Sequence, residues 1–105
     1  MSHSLRQYTP EDLARCRVEI DAIDQRLLEL LNERTRIVEQ IGNVKQALHM
    51  GIYEPKREDQ VFANVTGRNQ GPLPNDAVIR IFERIIDEMR NVQKLRILAK
   101  DSSCS

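Results

Sequence analysis

Two basic residues, Arg34 and Lys45, lie on the apolar face of a long amphipathic segment. Apolar residues recur there every seven positions, with Arg34 in the one gap, and a second apolar row follows three positions later. This pattern predicts a helix with a heptad seam. A guanidinium cannot lose its proton, so burying it without an acidic partner costs several kcal/mol. Lys45 follows about three helical turns later, roughly 16 Å along nearly the same face, so the two side chains can converge on one small anion. The two rows consist of Leu13, Ile20, Leu27, Ile41 and Leu48, and of Cys16, Ile23, Leu30, Ile37 and Val44.

Further polar side chains that could bind a ligand or act in a reaction follow later in the chain. Gln93 continues an apolar row that contains Ile79 and Ile86, and a polar amide on such a row indicates contact with a ligand. A charged cluster stands where the second helix is predicted to begin. Its members are Glu54, Arg57 and Glu58.

Each of these residues also has a purely structural interpretation. A lone arginine in a seam commonly pairs with a glutamate across an interface, and a lysine there can extend its amine to the surface. The charged cluster can be a helix cap with local ion pairs worth a few tenths of a kcal/mol each. The pattern alone leaves both interpretations open. Gly42 costs about 1 kcal/mol in a helix relative to alanine, so we expect close contact with another helix at that point.

The first helix must carry both cations, and its ends have recognisable signals. We expect it to open near Thr9, with Pro10 at its first position and acidic residues in its first turn. We expect it to run to about His49 and to stop at Gly51.

Two further helices complete an all-α prediction with no strand. The second starts at Glu54-Pro55 and ends before Gly71, and the third starts near Asn75 or Asp76 and continues to about Leu98. One domain is expected over residues 1–105, with a core over about 12–98 and a disordered tail over 99–105. The apolar positions of the third helix are Val78, Ile81, Phe82, Ile85, Ile86, Met89 and Val92.

Composition narrows the class of protein further. Charged residues make up 30% and aromatic residues 4% of 105 residues, with periodic Leu, Ile and Val, which is typical of a helical bundle. The net charge is zero, so a nucleic-acid or membrane-surface role is not favoured. We expect no membrane span and no secretory leader. Cys16 is predicted as a buried thiol and Cys104 as an exposed one, which suits a cytoplasmic protein.

The first helix is too long for a monomer of this size. About 40 residues at 1.5 Å each extend over roughly 60 Å, whereas a compact domain of this length is little more than about 30 Å across. One end would expose its apolar seam to water, and a second copy of the chain can cover it. In an antiparallel pair, Arg17 of one chain could complete the site around Arg34 and Lys45 of the other, so a homodimer is expected.

Several segments of the chain, taken together, carry a resemblance to known proteins. They are Arg17–Asp24, Leu27–Arg34, Ile41–Lys45, Ile52–Glu58 and Phe82–Glu88 with Gln93. In this order and spacing they resemble the three helices of the all-helical chorismate mutases, over roughly residues 12 to 98. No single segment is specific, but the whole set lies in register.

The resemblance implies an intertwined three-helix homodimer that rearranges chorismate to prephenate in phenylalanine and tyrosine biosynthesis. This Claisen rearrangement is a concerted bond exchange within one molecule, so no nucleophile, metal, cofactor or proton relay is expected. The enzyme has to hold a folded dicarboxylate and to stabilise the negative charge that grows on the breaking ether oxygen. By similarity, Arg34 and the partner's Arg17 clamp the carboxylates. Lys45 and Gln93 face the ether oxygen, and Lys45, Gln93 and Arg34 are the expected catalytic residues.

The resemblance also implies roles for the charged cluster, with two departures from the family pattern. Glu58 accepts a hydrogen bond from the ring hydroxyl, and Arg57 steadies the acidic groups or that hydroxyl. Glu54 stands where the family often has an aspartate, so a contact through its carboxylate would be repositioned. Met89 stands where many relatives carry a small hydroxyl residue that touches a substrate carboxylate, and a thioether cannot make that bond. Met89 is therefore expected to line the substrate site mainly by packing.

Two other functions remain open at this point. An isochorismate pyruvate lyase resembles the same fold and also uses a lysine against an ether oxygen, although the polar cluster Glu54–Glu58 favours the mutase. A non-catalytic helical dimerisation or regulatory module is the second alternative, but its seam would have no need for Arg34, Lys45 and Gln93 together. A complex with another shikimate-pathway enzyme is a further candidate association.

Overall fold

The computed structural model describes the backbone of residues 7–104 and the side chains of residues 7–99. It contains three α-helices in chain order, and no strand occurs in the described residues: α1 is Pro10–Ala47, α2 is Pro55–Arg68 and α3 is Asn75–Cys104. The predicted all-α class and the predicted starts of the three helices are confirmed. No helix within the described range is both long enough and apolar enough to cross a membrane.

The chain falls into two compact units, residues 1–34 and 35–105, with the boundary inside α1. The prediction of one domain with a core over about 12–98 stays a prediction. α3 ends at Cys104, six residues beyond the predicted end near Leu98, so that boundary was wrong. The disorder predicted for residues 99–105 stays a prediction, and Ser105 lies outside the described residues.

The first unit opens with a reciprocal cap on α1. The Thr9 hydroxyl accepts a hydrogen bond from the Asp12 backbone N–H at 3.3 Å, and the Thr9 backbone N–H donates to the Asp12 carboxylate at 2.9 Å. This arrangement satisfies amide groups that the first helical turn leaves without helical partners. The hydrogen bond from the Thr9 backbone, followed by the one from Arg15, holds the pKa of Asp12 below its ordinary value. The predicted cap at Thr9 with Pro10 at the first helical position is confirmed.

The apolar seam of the first unit is exposed along its length. Leu13, Ile20 and Leu27 are 52%, 57% and 51% exposed, and Ile23 and Leu30 of the second row are 53% and 61% exposed. Cys16 is a free, exposed thiol, so the prediction that it is buried was wrong for the single chain: it shares the exposure of its row. The side chain of Cys104 lies outside the described residues.

α1 ends in a left-handed turn at His49. The His49 backbone N–H donates to the Gln46 carbonyl at 3.2 Å, and the Met50 N–H donates to the Lys45 carbonyl at 2.8 Å. His49 has φ 56°, and together these features form a Schellman motif. The predicted stop at Gly51 was wrong, because the reversal takes place two residues earlier, at a residue that carries a Cβ.

The second unit is built on the pairing of α2 with α3. The Asn69 side chain fixes their connection: its amide donates to the Leu73 carbonyl at 2.8 Å and to the Asn75 side chain at 2.7 Å, and its oxygen accepts from the Gly71 N–H at 2.9 Å. The buried apolar side chains among the described residues are Val38, Val78 and Met89. Ile81, which its period placed on the apolar face of α3, is 48% exposed.

Replacement of His49 by glycine should stabilise the fold. A left-handed conformation at a residue with a Cβ is strained, so His49→Gly should raise the free energy of unfolding by about 0.5–1 kcal/mol and the melting temperature by roughly 2–4 °C. Thermal unfolding measures both. Gly51→Ala is the control, because a Cβ at Gly51 meets no atom within 4 Å and the residue is not at positive φ. If Gly51→Ala destabilises the protein and His49→Gly does not stabilise it, the helix is terminated at Gly51 after all.

Candidate active site

Lys45 is a buried cation in the last turn of α1, only 8% exposed. Its ammonium donates to the Ile52 carbonyl at 3.0 Å and pairs with the Glu54 carboxylate at 2.6 Å. The left-handed turn at His49 returns the chain so that residues 52–54 reach back to this amine. The C-terminal end of a helix also favours a positive charge. The ammonium is therefore held in place before any ligand binds.

Gln93 is a buried amide on α3, 8% exposed, and it faces α1. Its Nε2 donates to the Val38 backbone carbonyl at 3.3 Å. A helical carbonyl already accepts one N–H from the residue four positions later, which here is Gly42, and it retains a second lone pair. A Cβ on Gly42 would lie 3.6 Å from Cγ of Gln93. The predicted close helix contact at Gly42 is thus confirmed, and Gln93 is the residue that makes it.

The two acidic residues at the start of α2 both form ion pairs with other helices. Glu54 is the N-cap residue of α2, but its side chain makes no capping hydrogen bond and instead pairs with Lys45. Glu58, one turn later, pairs with Arg90 of α3. Arg57 is exposed and contacts Gln60 at 3.4 Å. Glu54 is therefore paired with Lys45 of α1, and Glu58 with Arg90 of α3.

Met89 is buried, 8% exposed, beside a hydroxyl group. The Thr35 Oγ1 donates to the Met89 Sδ at 3.3 Å. Met89 thus packs against Thr35 of α1 within the second unit, and its predicted place in the substrate site stays a prediction.

The two remaining predicted residues, Arg17 and Arg34, belong to the first unit. Arg17 is exposed and Arg34 is half-buried. The other six predicted site residues lie in the second unit, where the structure gathers Lys45 with Glu54 and places Gln93 against α1.

A cleft of about 230 Å³, a volume that includes open solvent, lies beside Gln93 in the second unit. Its exposed surface is mostly apolar, and two of its lining residues, Arg96 and Glu39, form an ion pair at 3.2 Å. The lining residues are Glu39, Gly42, Asn43, Gln46, Gln93, Arg96 and Ile97. The cleft therefore lies beside the Gln93 amide, which the sequence indicated as a ligand contact.

Arg90 was missed by the sequence reasoning. Its guanidinium pairs with Glu58, lies 3.5 Å from the Asp87 carboxylate, and is 5.3 Å from the centre of the Tyr53 ring. In the sequence it looks like one half of a local pair with Asp87, three positions earlier. The sequence signal that could have identified Arg90 was its position between Met89 and Gln93, which were both predicted as site residues.

These side chains can bind an anion and donate hydrogen bonds without reacting covalently. The buried ammonium offers three donors, of which two meet Ile52 and Glu54, and the Gln93 amide offers two, of which one meets Val38. Each group therefore has a donor left for a ligand. Donors fixed in advance in a site sheltered from water are the usual means of stabilising developing negative charge.

The comparisons with known proteins point to one family. The family model for chorismate mutase type II matches residues 16–94. A bifunctional chorismate mutase/prephenate dehydratase from Aquifex aeolicus is 34% identical over 88 residues, which are 80% of this chain and 24% of the relative. The chain spans about a quarter of the length of the curated relatives it matches first.

Solved structures are also similar to about four fifths of this chain. A chorismate mutase from Thermus thermophilus has a TM-score of 0.76 and 32% identity, covering 78% of this chain and 93% of that one. A chorismate mutase from Helicobacter pylori, solved in complex with prephenate, has a TM-score of 0.76 and 29% identity, covering 81% and 92%. With the family model matched over most of its length and the same three-helix fold, the chain belongs to the type II chorismate mutase family.

Proposed function

We propose that this chain catalyses the Claisen rearrangement of chorismate to prephenate. The observation that carries the proposal is the buried Lys45 ammonium, preset by Ile52 and Glu54, in a unit that also holds the buried Gln93 amide. Membership of the type II family and the similarity to an enzyme solved with prephenate support it. The reaction would serve phenylalanine and tyrosine biosynthesis.

The proposed mechanism is electrostatic and conformational. In the rearrangement an ether C–O bond breaks while a C–C bond forms, and no proton is exchanged with the protein. Lys45 and Gln93 donate to the ether oxygen as negative charge grows on it, a contribution that is stronger in the transition state than in the bound substrate. The Val38 carbonyl holds the Gln93 amide in one orientation, so little reorganisation is needed during the reaction.

Arg34 and Arg17 are proposed to clamp the two substrate carboxylates by two-pronged hydrogen bonds. Arg17 would come from a second copy of the chain. Support comes from the 38-residue α1, about 57 Å long at 1.5 Å per residue, and from the exposed apolar seam of residues 13–30. A large exposed apolar surface is unfavourable in water, and an intertwined homodimer would cover it.

The acidic residues complete the proposed site. Glu58 accepts the hydrogen bond of the ring hydroxyl, and Glu54 holds the Lys45 ammonium through the contact described above. Arg57 is exposed in the single chain, and its proposed part is to steady the hydroxyl end of the substrate. Met89 lines the site by packing.

A partner enzyme and an alternative reaction also belong to this proposal. The relative from Aquifex aeolicus carries a mutase and a dehydratase together, which supports the idea that this chain works beside another enzyme of the shikimate pathway. An isochorismate pyruvate lyase is the alternative catalytic function, and its product differs.

The function is tested by incubating the purified chain with chorismate and, separately, with isochorismate. We expect chorismate to be consumed with prephenate as the product, because the site offers fixed donors for an ether oxygen and carboxylates. Chromatography and mass spectrometry identify prephenate and pyruvate. Formation of pyruvate from isochorismate without prephenate from chorismate would replace the mutase by the lyase, and turnover of neither substrate would leave a non-catalytic module.

Sharing of the site between two chains is tested by subunit exchange. Light scattering should show a dimer at micromolar concentration, with dissociation coupled to unfolding. Arg17→Ala and Arg34→Ala should each remove most activity alone. An exchanged mixture should regain roughly a quarter to a half of wild-type activity, because a mixed dimer of a two-fold assembly keeps one intact site.

The control for this exchange mixes two separate preparations of Arg34→Ala, which should regain no activity. Failure of the Arg17→Ala and Arg34→Ala mixture to regain activity would place both arginines in the same chain or make Arg17 structural. A folded monomer would remove the basis for sharing altogether.

The placement of Gln93 is tested by a change of charge. A carboxyl group donates only when protonated, and glutamate ordinarily has a pKa near 4.3, so Gln93→Glu should be roughly 10²–10³-fold slower at pH 8. Its rate should recover as the pH falls, whereas Gln93→Met should stay slow at every pH. Stopped-time assays from about pH 5 to 8 measure this, with thermal unfolding at each pH as the check on folding.

Asn91→Asp is the matched control, because it adds a negative charge on the exposed face of the same helix. It should keep near wild-type activity throughout the pH range. Wild-type activity of Gln93→Glu at pH 8 would mean that Gln93 does not face the reacting oxygen.

A further inference from the structure

Arg90 joins the helix that carries Gln93 to two neighbouring segments. Its guanidinium pairs with the Glu58 carboxylate of α2 and lies over the Tyr53 ring, 5.3 Å from its centre. Tyr53 stands between Ile52 and Glu54, the two residues that hold Lys45. One side chain of α3 therefore contacts both the start of α2 and the loop that tethers the buried ammonium.

The setting of this ion pair differs from that of an ordinary surface pair. The side chains of Arg90 and Glu58 are 25% and 23% exposed, whereas those of the Arg84–Glu88 pair on the same helix are 77% and 50% exposed. Exposed pairs are screened by water and contribute little to stability or order. A partly desolvated pair that links two helices restricts both side chains much more strongly.

The chemistry of the pair suits a carboxylate that must accept a hydrogen bond. A guanidinium donates charge-assisted hydrogen bonds, which hold a carboxylate more firmly than neutral hydrogen bonds do. It meets Oε2 of Glu58, and a carboxylate retains further lone pairs on both oxygens. The aromatic face below the guanidinium and the Asp87 carboxylate beside it, 3.5 Å away, hold the arginine itself.

We infer that Arg90 is a positioning residue for substrate recognition. It holds Glu58 in the orientation in which that carboxylate accepts the hydrogen bond of the substrate ring hydroxyl, and Tyr53 supports the arginine from below. This inference rests on the proposed function and adds a residue to it. Arg90 does not touch the substrate, so its effect is transmitted through Glu58.

An effect of Arg90 that is transmitted through Glu58 predicts a specific kinetic pattern. The ring hydroxyl takes no part in the bond exchange, so its hydrogen bond is made equally in the bound substrate and the transition state, and its loss should raise KM more than it lowers kcat. Arg90→Met should lower kcat/KM by roughly ten- to hundred-fold, as expected for a misplaced binding group. Arg90→Lys should lose less, because it keeps the charge but not the fork.

The deciding experiment is a double-mutant cycle on prephenate formation with Arg90→Met, Glu58→Ala and the double variant. If Arg90 acts through Glu58, Arg90→Met should cause no further loss in the Glu58→Ala background, where no acceptor remains to be positioned. Arg84→Met, which breaks the exposed pair on the same helix, should leave both kcat and KM unchanged. Additive losses in the cycle, or unchanged KM in Arg90→Met, would overturn the inference.

Two further measurements keep the test decisive. Tyr53→Leu removes the ring below the guanidinium and should raise KM by a smaller factor than Arg90→Met, so a result remains if Arg90→Met does not fold. An unchanged KM in a folded Tyr53→Leu together with an unchanged KM in Arg90→Lys would also overturn the inference. Wild-type chain that forms no prephenate would instead refute the proposed function, and this inference with it.

Discussion

The burial of the Lys45 ammonium is the constraint on which the second unit depends. A charged amine that is 8% exposed has to find oxygen partners, because an unpaired buried charge costs several kcal/mol. The nearest supply is the chain that follows it, which has to turn back at the end of α1. His49 therefore takes a left-handed conformation, the Ile52 carbonyl and the Glu54 carboxylate reach the amine, and α2 begins immediately afterwards. The turn at the end of α1 and the oxygen partners that follow it are thus linked to one cation.

The Gln93 amide imposes a second constraint between α1 and α3. It donates a hydrogen bond to the Val38 carbonyl, and its side chain lies beside Gly42, where a Cβ would meet the Gln93 Cγ at 3.6 Å, an ordinary contact distance. A glycine within a helix costs about 1 kcal/mol relative to alanine. A hydrogen-bonded amide also contributes less to a core than a packed aliphatic side chain would. Both residues lower stability relative to aliphatic alternatives, and the amide leaves a fixed donor where a ligand can meet it.

Local chemistry made much of this fold predictable from the sequence. Helix starts depend on a few adjacent residues, so Thr9, Pro55 and Asn75 could be located from capping groups and proline alone. Polar residues on apolar rows were visible for the same reason, since a periodic pattern fixes the face of a helix without knowledge of its neighbour. This is why Lys45 and Gln93 were identified as unusual before any contact was known.

Contacts between helices decided the rest. The left-handed turn lies at His49 and not at Gly51, and it precedes the segment 52–54 that reaches the buried Lys45 amine. Arg90 could not be distinguished in the sequence from a surface arginine, since its partners Glu58 and Tyr53 depend on how α2 and its preceding loop lie against α3. The sequence by itself determined the helices and the chemical groups on their faces. Only the tertiary structure decided which charges meet, because such pairing depends on distances that sequence separation does not contain.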